Sequence, residues 1–189
     1  MARYSKEHKD ASRRRIVDAA GRRFKRDGID GSGIATLMAD AGLTNGAFYA
    51  HFDSKDDLVA ATVADQLRGQ LESYGQEPGA SVDQLVRDYL SVKHRDDPEH
   101  GCPSAALLDE IGRCPAAAKQ AYTDGMLSIA DEVASRLAPD DPASARATTL
   151  SLFALLIGTL QLSRALADRE LADEVLERGI ENALALLSA

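Results

Sequence analysis

The sequence predicts an all-α protein of about nine helices, and three observations lead there. Apolar residues recur at spacings of three and four along most of the 189 residues. No stretch shows the strict alternation of a half-buried strand. Gly, Pro, Asp and Ser gather between the periodic segments, where helices need caps and stops. With 44% hydrophobic and 28% charged residues, the chain has the balance of a globular protein. It is long enough to bury a core as one large domain, or as a small domain joined to a larger one.

The first helix is expected from about Ser12 to Arg26, with Ile16, Val17, Ala20 and Phe24 on one stripe and arginines on the others; Gly28 ends it. The second, Ile34 to Ala41, repeats Ile34, Leu37, Met38 and Ala41 at i, i+3, i+4 and i+7, and Gly42 offers the left-handed position beyond its end. Thr44 is expected to cap a third short helix by accepting from the Ala47 N–H. That helix must stop near Phe52, because Asp53-Ser54 opens another, with Ser54 and Asp57 as a capping-box variant. The fourth then runs from Lys55 to about Tyr74 on the stripe Val59, Val63, Leu67, Leu71, Tyr74, and residues 75–81 break it. A fifth helix carries Val82, Leu85, Val86, Tyr89 and Leu90, followed by a polar loop from His94 to Pro103. A sixth covers Ser104 to about Ile111. A seventh opens with Pro115 in its first turn and keeps Ala118, Tyr122, Met126, Ile129, Val133 and Leu137 in register. An eighth spans Pro142 to about Ala167, and a ninth spans Leu171 to Leu187. The run from Thr149 to Leu162 is apolar almost all round yet shorter than the roughly 20 residues of a membrane span, so this chain or a second copy must cover it.

The formal net charge of -8 hides a split. Met1 to Lys55 holds eleven Lys and Arg against seven acids, a surplus of +4, while the remainder carries -12. Such asymmetry suggests that one part meets a polyanion and the other does something else. The second and third helices, joined by a Gly-containing turn and packed by the first, have the form of a helix-turn-helix. Phe48 and Phe52, four apart, should point inward, leaving Asn45, Gly46, Ala47, Tyr49 and Ala50 outward. That outward set suits a major groove: Asn bonds an adenine edge, Ala touches a thymine methyl and Gly admits the backbone closely. Tyr49, His51 and Lys55 can donate to phosphate oxygens.

Together, RIVDAAGRRFKRDGIDGSGIATLMADAG and GLTNGAFYAHFDSKDDLVAA resemble the DNA-binding region of the tetracycline-repressor (TetR) family over about Arg14 to Leu67. The matching features are Ile16, Ala19, Ala20 and Phe24, then Gly28, the two-turn helix, Gly42, the Phe48-Tyr49-x-His51-Phe52 cluster, and Ser54-Lys55 before Leu58. The resemblance implies a cytoplasmic homodimer on a palindromic operator in double-stranded DNA. It divides the chain into a DNA-binding domain with a basic arm, 1–53, and an effector-binding and dimerisation domain, 54–189. It places Asn45, Gly46 and Ala47 where bases are met and Tyr49, His51 and Lys55 on the phosphate backbone, beside Thr44 and Thr36. The function it implies is a repressor released by a small-molecule effector that shifts the fourth helix. In place of the Arg or Lys often found at the start of the family's second helix, this chain has Ala35, so Ser32 or Thr36 and the arm are expected to compensate. The last two helices of both copies are expected to form a four-helix bundle, with Leu152, Leu156, Leu160, Leu176, Ile180 and Leu184 as its dimerisation residues. GCP at Gly101 to Pro103 resembles the loop of one broad subgroup.

Tyr74, Tyr89, Tyr122, Met126 and Phe153 are the candidates to line a moderate-sized, largely apolar effector cavity, or are plain core. No cofactor is expected. The glycines of GIDGSG have no strand before them and lack the third glycine of a dinucleotide loop. His94, His100, Cys102 and Cys114 are soft ligands in a spacing that fits no metal-finger pattern. The two cysteines are too few for a disulfide framework and agree with a reducing compartment, and a redox pair between them is a separate possibility. His51 lacks a nucleophile and orienting carboxylate near it in sequence, which disfavours a catalytic base. The competing reading is an all-α enzyme or ligand carrier with a helix-turn-helix-like corner, which leaves the +4 segment without a purpose.

Overall fold

A computed structural model describes residues 2–76 and 81–188, with side chains described over 7–74 and 81–188. These residues form ten α-helices and no strand: α1 Ala2–Asp27, α2 Ile34–Asp40, α3 Asn45–Phe48, α4 Lys55–Gln76, α5 Val82–Tyr89, α6 Val92–Asp96, α7 Pro103–Arg113, α8 Ala116–Leu137, α9 Pro142–Ala165 and α10 Arg169–Leu187, with a 3-10 turn at Pro98–His100. The first helix starts ten residues before the expected Ser12, because no Pro interrupts a run rich in Ala, Arg and Lys. The expected polar loop from His94 is partly helical: Ser91 caps α6 by accepting from the His94 N–H at 3.2 Å. Of the break expected over 75–81, Gly75 and Gln76 continue α4 and residues 77–80 lie outside the described ones.

Helices α1–α3 are not a separate ball. Ile16, Phe24, Leu37, Met38, Phe48 and Phe52 are buried in one cluster with Leu58, Val59, Val63 and Leu67 of α4 and with Leu107, Ile111, Ala118 and Ile129 of α7 and α8. A second cluster joins Val82, Val86 and Leu90 of α5 to Val133, Leu152, Leu156, Leu160, Leu176 and Ala183, and Phe153 touches both. Polar ties reinforce the seam. The Glu110 carboxylate accepts from the N–H groups of Ile29 at 2.7 Å and Asp30 at 3.2 Å, while Lys55 Nζ donates to the Ile29 carbonyl at 2.5 Å. Lys25 Nζ, at the end of α1, donates to the Gly101 carbonyl at 2.9 Å.

Placing the dimer surface on Leu152, Leu156, Leu160 and Leu176 is corrected by their burial at 2, 5, 0 and 3% exposure inside a single chain. Ile180 and Leu184 are half-buried against the same cluster. Because α9 is apolar on two faces, periodicity could not say which face looked inward. The face left open carries Leu150, Ala154, Gly158 and Leu162, four residues apart, with Leu150 39% and Leu162 54% exposed. By length and composition α9 alone among the described helices could cross a membrane, its best window having mean hydropathy 1.4 with 28% of it buried. That window is longer than the expected Thr149–Leu162 run. Arg164, near the end of the helix, donates to the carbonyls of His94 at 2.7 Å, Arg95 at 3.1 Å and Ala105 at 3.1 Å, fixing the 91–105 segment over the second core.

Burial lowers the Lys25 ammonium from 10.5 to about 8. Between those values the unfolded chain holds a proton that the folded chain has lost, so the burial cost is full below pH 8 and fades above it. Lys25→Met is therefore expected to raise the melting temperature at pH 7, with the gain shrinking as pH rises toward 10, read by circular dichroism melts across that range. A gain independent of pH would show that the ammonium is not the cause.

Candidate functional site

Four residues, Asn45–Phe48, make α3, and backbone turns carry it on to His51. A helix this short has no stability of its own, so packing must hold it. Phe48 at 0% and Phe52 at 2% exposure supply that packing, their ring centroids 5.7 Å apart. Gly42, with φ +64°, lets the chain turn sharply between α2 and α3, and Arg15 closes the end of α2 by donating to the Ala41 carbonyl at 2.6 Å.

On the outside, Asn45, Gly46, Tyr49 and Ala50 are exposed, and Ala47 is half-buried against the core. Tyr49, 70% exposed, stands edge-on to Phe48 with centroids 5.2 Å apart, which holds the ring at the surface. Thr36 and Thr44 are exposed beside them. Thr44 does not cap through its hydroxyl as expected: the Ala47 N–H bonds the Thr44 carbonyl at 3.0 Å, which leaves the hydroxyl facing out. Nothing lies within 4 Å of a methyl group built on Gly46, so the fold itself does not require glycine there.

Several expected phosphate contacts have other employment. Lys55 is half-buried and spends its ammonium on the Ile29 carbonyl, which corrects its placement on the phosphate backbone. Ser32 is buried and donates to the Gly28 carbonyl at 2.7 Å, so it cannot compensate for Ala35. His51 is half-buried, its Nδ1 has no partner among the described residues, and burial first, then Lys9 and Arg13, push its pKa down. It is therefore a neutral hydrogen-bonding group rather than a cation. The arginines of α1 divide. Arg23 forks onto Asp40 at 2.6 and 3.1 Å and reaches Asp27 at 2.6 Å, and that hydrogen bonding holds the Asp40 carboxyl below its ordinary range. Arg13 lies over the Phe52 ring at 4.9 Å and, with Lys9, Arg14 and Arg22, stays exposed. Periodicity places the arginines on the stripes of α1 away from its apolar one; the Asp40 partner of Arg23, seventeen residues away, carries no local signal.

A second site lies where α4, α5, α8 and α9 meet. A cavity of about 40 Å³ is walled by Leu67, Val86, Met126, Ile129, Phe153 and Leu156 among others, and Tyr74 and Tyr89 close one end. Four of the five expected cavity residues meet there. Tyr122 does not reach the cavity; its hydroxyl donates at 3.0 Å to Ser104 Oγ, which does. Leu152 and Leu156, expected at a dimer surface, line it too. Gln70, one turn before Tyr74, also lines it and was missed, because a Gln on a helix reads as surface. Gln70, Tyr74, Leu85, Tyr89 and Cys102 line both this cavity and a groove of about 810 Å³, and so mark the neck between the two. Beside it both nitrogens of His94 are occupied, Nδ1 with the Tyr89 carbonyl at 2.7 Å and Nε2 accepting from the Cys102 N–H at 2.9 Å. Among the described residues no three His, Cys, Asp or Glu side chains converge as metal ligands, and Cys102 and Cys114 are free thiols.

Residues 16–62 match the family model of bacterial regulatory proteins, tetR family. Over 61 residues the chain is 39% identical to the HTH-type transcriptional regulator TtgR of Pseudomonas putida, a match covering 32% of this chain and 29% of that one. The chain thus matches less than a third of the length of the curated relatives. The fold extends further. The reduced form of E. coli NemR superposes with a TM-score of 0.74 at 16% identity, over 91% of this chain and 94% of that one. A TetR-family transcriptional regulator from Agrobacterium tumefaciens does so with a TM-score of 0.73 at 20% identity, over 92% and 98%.

Gly46→Ala separates fold from recognition. With open space around the new methyl, stability should stay level or rise by up to about 1 kcal/mol. Affinity for duplex DNA from upstream of the gene should fall at least tenfold in fluorescence anisotropy if a base edge approaches Gly46 as the family resemblance implies. Unchanged affinity would remove Gly46 from the contact surface.

Proposed function

We propose that this chain, whose residues 16–62 form a DNA-binding domain of the tetR family of bacterial regulatory proteins, is a ligand-responsive transcriptional regulator, a repressor that leaves its operator when a small molecule fills the cavity. The observation that carries this reading is the α3 surface: small and polar side chains outside, two phenyl rings locked inside, in the most basic part of an acidic chain. Asn45 reads a base edge, Gly46 and Ala47 let the backbone come close, and Tyr49 with Thr36 and Thr44 bonds phosphates. Lys9, Arg13 and Arg14 supply the charge that Lys55 cannot.

The chain works as a homodimer. The open α9 face, Leu150, Ala154, Gly158 and Leu162, joins Leu171 and Val175 of α10 against the same residues of a second copy, since a twofold pair meets through one self-complementary patch. Gly158 has nothing within 4 Å of its missing side chain, which permits close approach of the two helices. Pairing there sets two α3 surfaces about 34 Å apart on one side of a palindromic operator. Helix α4 links ligand to DNA: it starts at Lys55 beside the reading head and, twelve to nineteen residues on, lines the cavity with Leu67, Gln70 and Tyr74. A ligand wedged against α4 moves both ends. The site of action is the cytoplasm, where the DNA is, and the chain performs no catalysis of its own.

A gel shift on the DNA upstream of its own gene tests the reading; no retarded band at low salt would end it. Asn45→Ala should cost about 1–3 kcal/mol on that DNA and nothing on random sequence. Arg14→Ala should weaken both alike and reduce the salt slope by about 1. Leu162→Glu should sediment as a monomer at micromolar concentration and lose operator affinity more than tenfold; a dimer persisting through that change would move the interface elsewhere.

A further inference from the structure

We propose that the ligand of the cavity is an uncharged amphiphile, an apolar tail of several carbons lying among the aliphatic side chains and a hydroxyl at the neck bonded to Gln70 and Tyr89. This rests on the reading of the chain as an effector-responsive regulator and names the chemical class of its effector. Two polar atoms at the neck are buried without a nitrogen or oxygen partner: Gln70 Oε1 and the Tyr89 hydroxyl. Each such atom has given up its water without a replacement in the empty protein, so a ligand that satisfies both gains what the empty fold forgoes. Both residues line the cavity and the groove, and native interiors rarely leave two such atoms in one lining unless something else completes them.

The geometry selects a hydroxyl. Gln70 Nε2 donates to the Tyr74 hydroxyl at 3.0 Å, which leaves Oε1, an acceptor, as the unpaired end of the amide. Were the amide turned over, the Tyr74 hydroxyl could donate to Oε1 and a bare N–H would face the neck instead. One end of the amide is unpaired in either orientation. The Tyr89 hydroxyl both donates and accepts, and its polar neighbour is the weakly bonding thiol of Cys102. A ligand hydroxyl donates and accepts as well, so it closes the pair in either arrangement, which an ether, a ketone or a tertiary amine cannot.

Charge is disfavoured. Among the described residues no Lys, Arg, His, Asp or Glu side chain lines the cavity. Burial drives the tyrosines, His94 and Lys25 toward their neutral forms: Tyr74 rises to about 12, Tyr89 and Tyr122 rise, His94 falls, and Lys25 falls to about 8. A carboxylate or ammonium placed between the same walls pays the same cost without a partner of opposite sign. The walls beyond the neck are aliphatic or thioether with one phenyl ring, save for Ser104, whose hydroxyl already accepts from Tyr122, and a cavity of about 40 Å³ excludes a stack of rings and admits a slender chain only as its walls give way. Any larger substituent continues outward into the groove, whose lining mixes charges of both signs, Lys25 and Lys93 with Asp65, Asp88 and Asp97.

The test uses the full chain and three probes of matched length, 1-octanol, octanoate and octylammonium, titrated by calorimetry at pH 7.5. Octanol should bind at least tenfold more tightly than either ion. Gln70→Leu and Tyr89→Phe, each close in shape to the original, should each weaken octanol at least fivefold while leaving the ligand-free melt unchanged or higher. The ranking on the unaltered chain stands even if a variant folds poorly. An ion that equals octanol, octanol binding that survives both substitutions, or failure of all three probes to bind would overturn the proposal. A gel shift without ligand is run alongside. A chain that retards its DNA but binds none of the probes loses only the ligand class, whereas one that binds octanol as described yet ignores DNA loses the regulatory reading.

Discussion

The burial of Phe48 and Phe52 is the constraint on which the surface chemistry depends. A single helical turn cannot hold its own geometry in water. Two rings without exposure, packed with Ile16, Phe24 and Leu37, fix both the position and the rotation of α3, and with them the outward direction of Asn45, Gly46 and Tyr49. Burying two Phe side chains is worth several kcal/mol, far more than any single polar contact on the outer face. Recognition groups can therefore be small and weakly bonded to the protein, because nothing on that face is needed to keep it in place.

The same cluster continues without a gap into α4, α7 and α8, so the α3 surface and the cavity wall share one packed core. The seam at Ile29 and Asp30 concentrates the polar ties: Glu110 accepts two backbone N–H groups there and Lys55 donates to a carbonyl of the same turn. These bonds hold α1 and α2 against the body of the chain. Packed interiors deform by steps rather than continuously, so a small displacement at the cavity wall reaches this seam as a rearrangement and not as a diffuse strain. Lys55 illustrates the trade: a cation next to the reading helix serves the joint instead of the surface.

Much of the architecture was legible in the sequence because it rests on local chemistry. Gly28 and Gly42 adopt positive φ at two helix ends, Ser54 accepts from the Asp57 N–H at the start of α4, and the stripe of α4 packs into the core, fully buried at Val59, Val63 and Leu67. What escaped was set by partners distant in sequence or by ambiguity of pattern. His94 and Arg164 order the 91–105 segment through bonds spanning as many as 70 residues, so its helical turn was invisible beforehand. Apolar all round, α9 offered two candidate inner faces, and the wrong one was assigned to dimer contact. Lys55 and Ser32 looked free because their acceptors are backbone carbonyls, which carry no sequence signal. Gln70 joined the cavity through a bond to Tyr74 that i, i+4 spacing allows but does not announce.

One further consequence comes from the length of α1. Its 26 residues make a rod of about 39 Å, unbroken from the basic arm to Lys25, and Lys25 is fastened to the carbonyl of Gly101, the residue before Cys102 at the cavity neck. A rod pinned near one end is a lever. A tilt of about 5° at the pin sweeps the opposite tip through roughly 3 Å, the span of a hydrogen bond. Motion too slight to register at the neck is thereby multiplied at the arm, and the price of a stiff helix is that the arm cannot stay still when the neck moves.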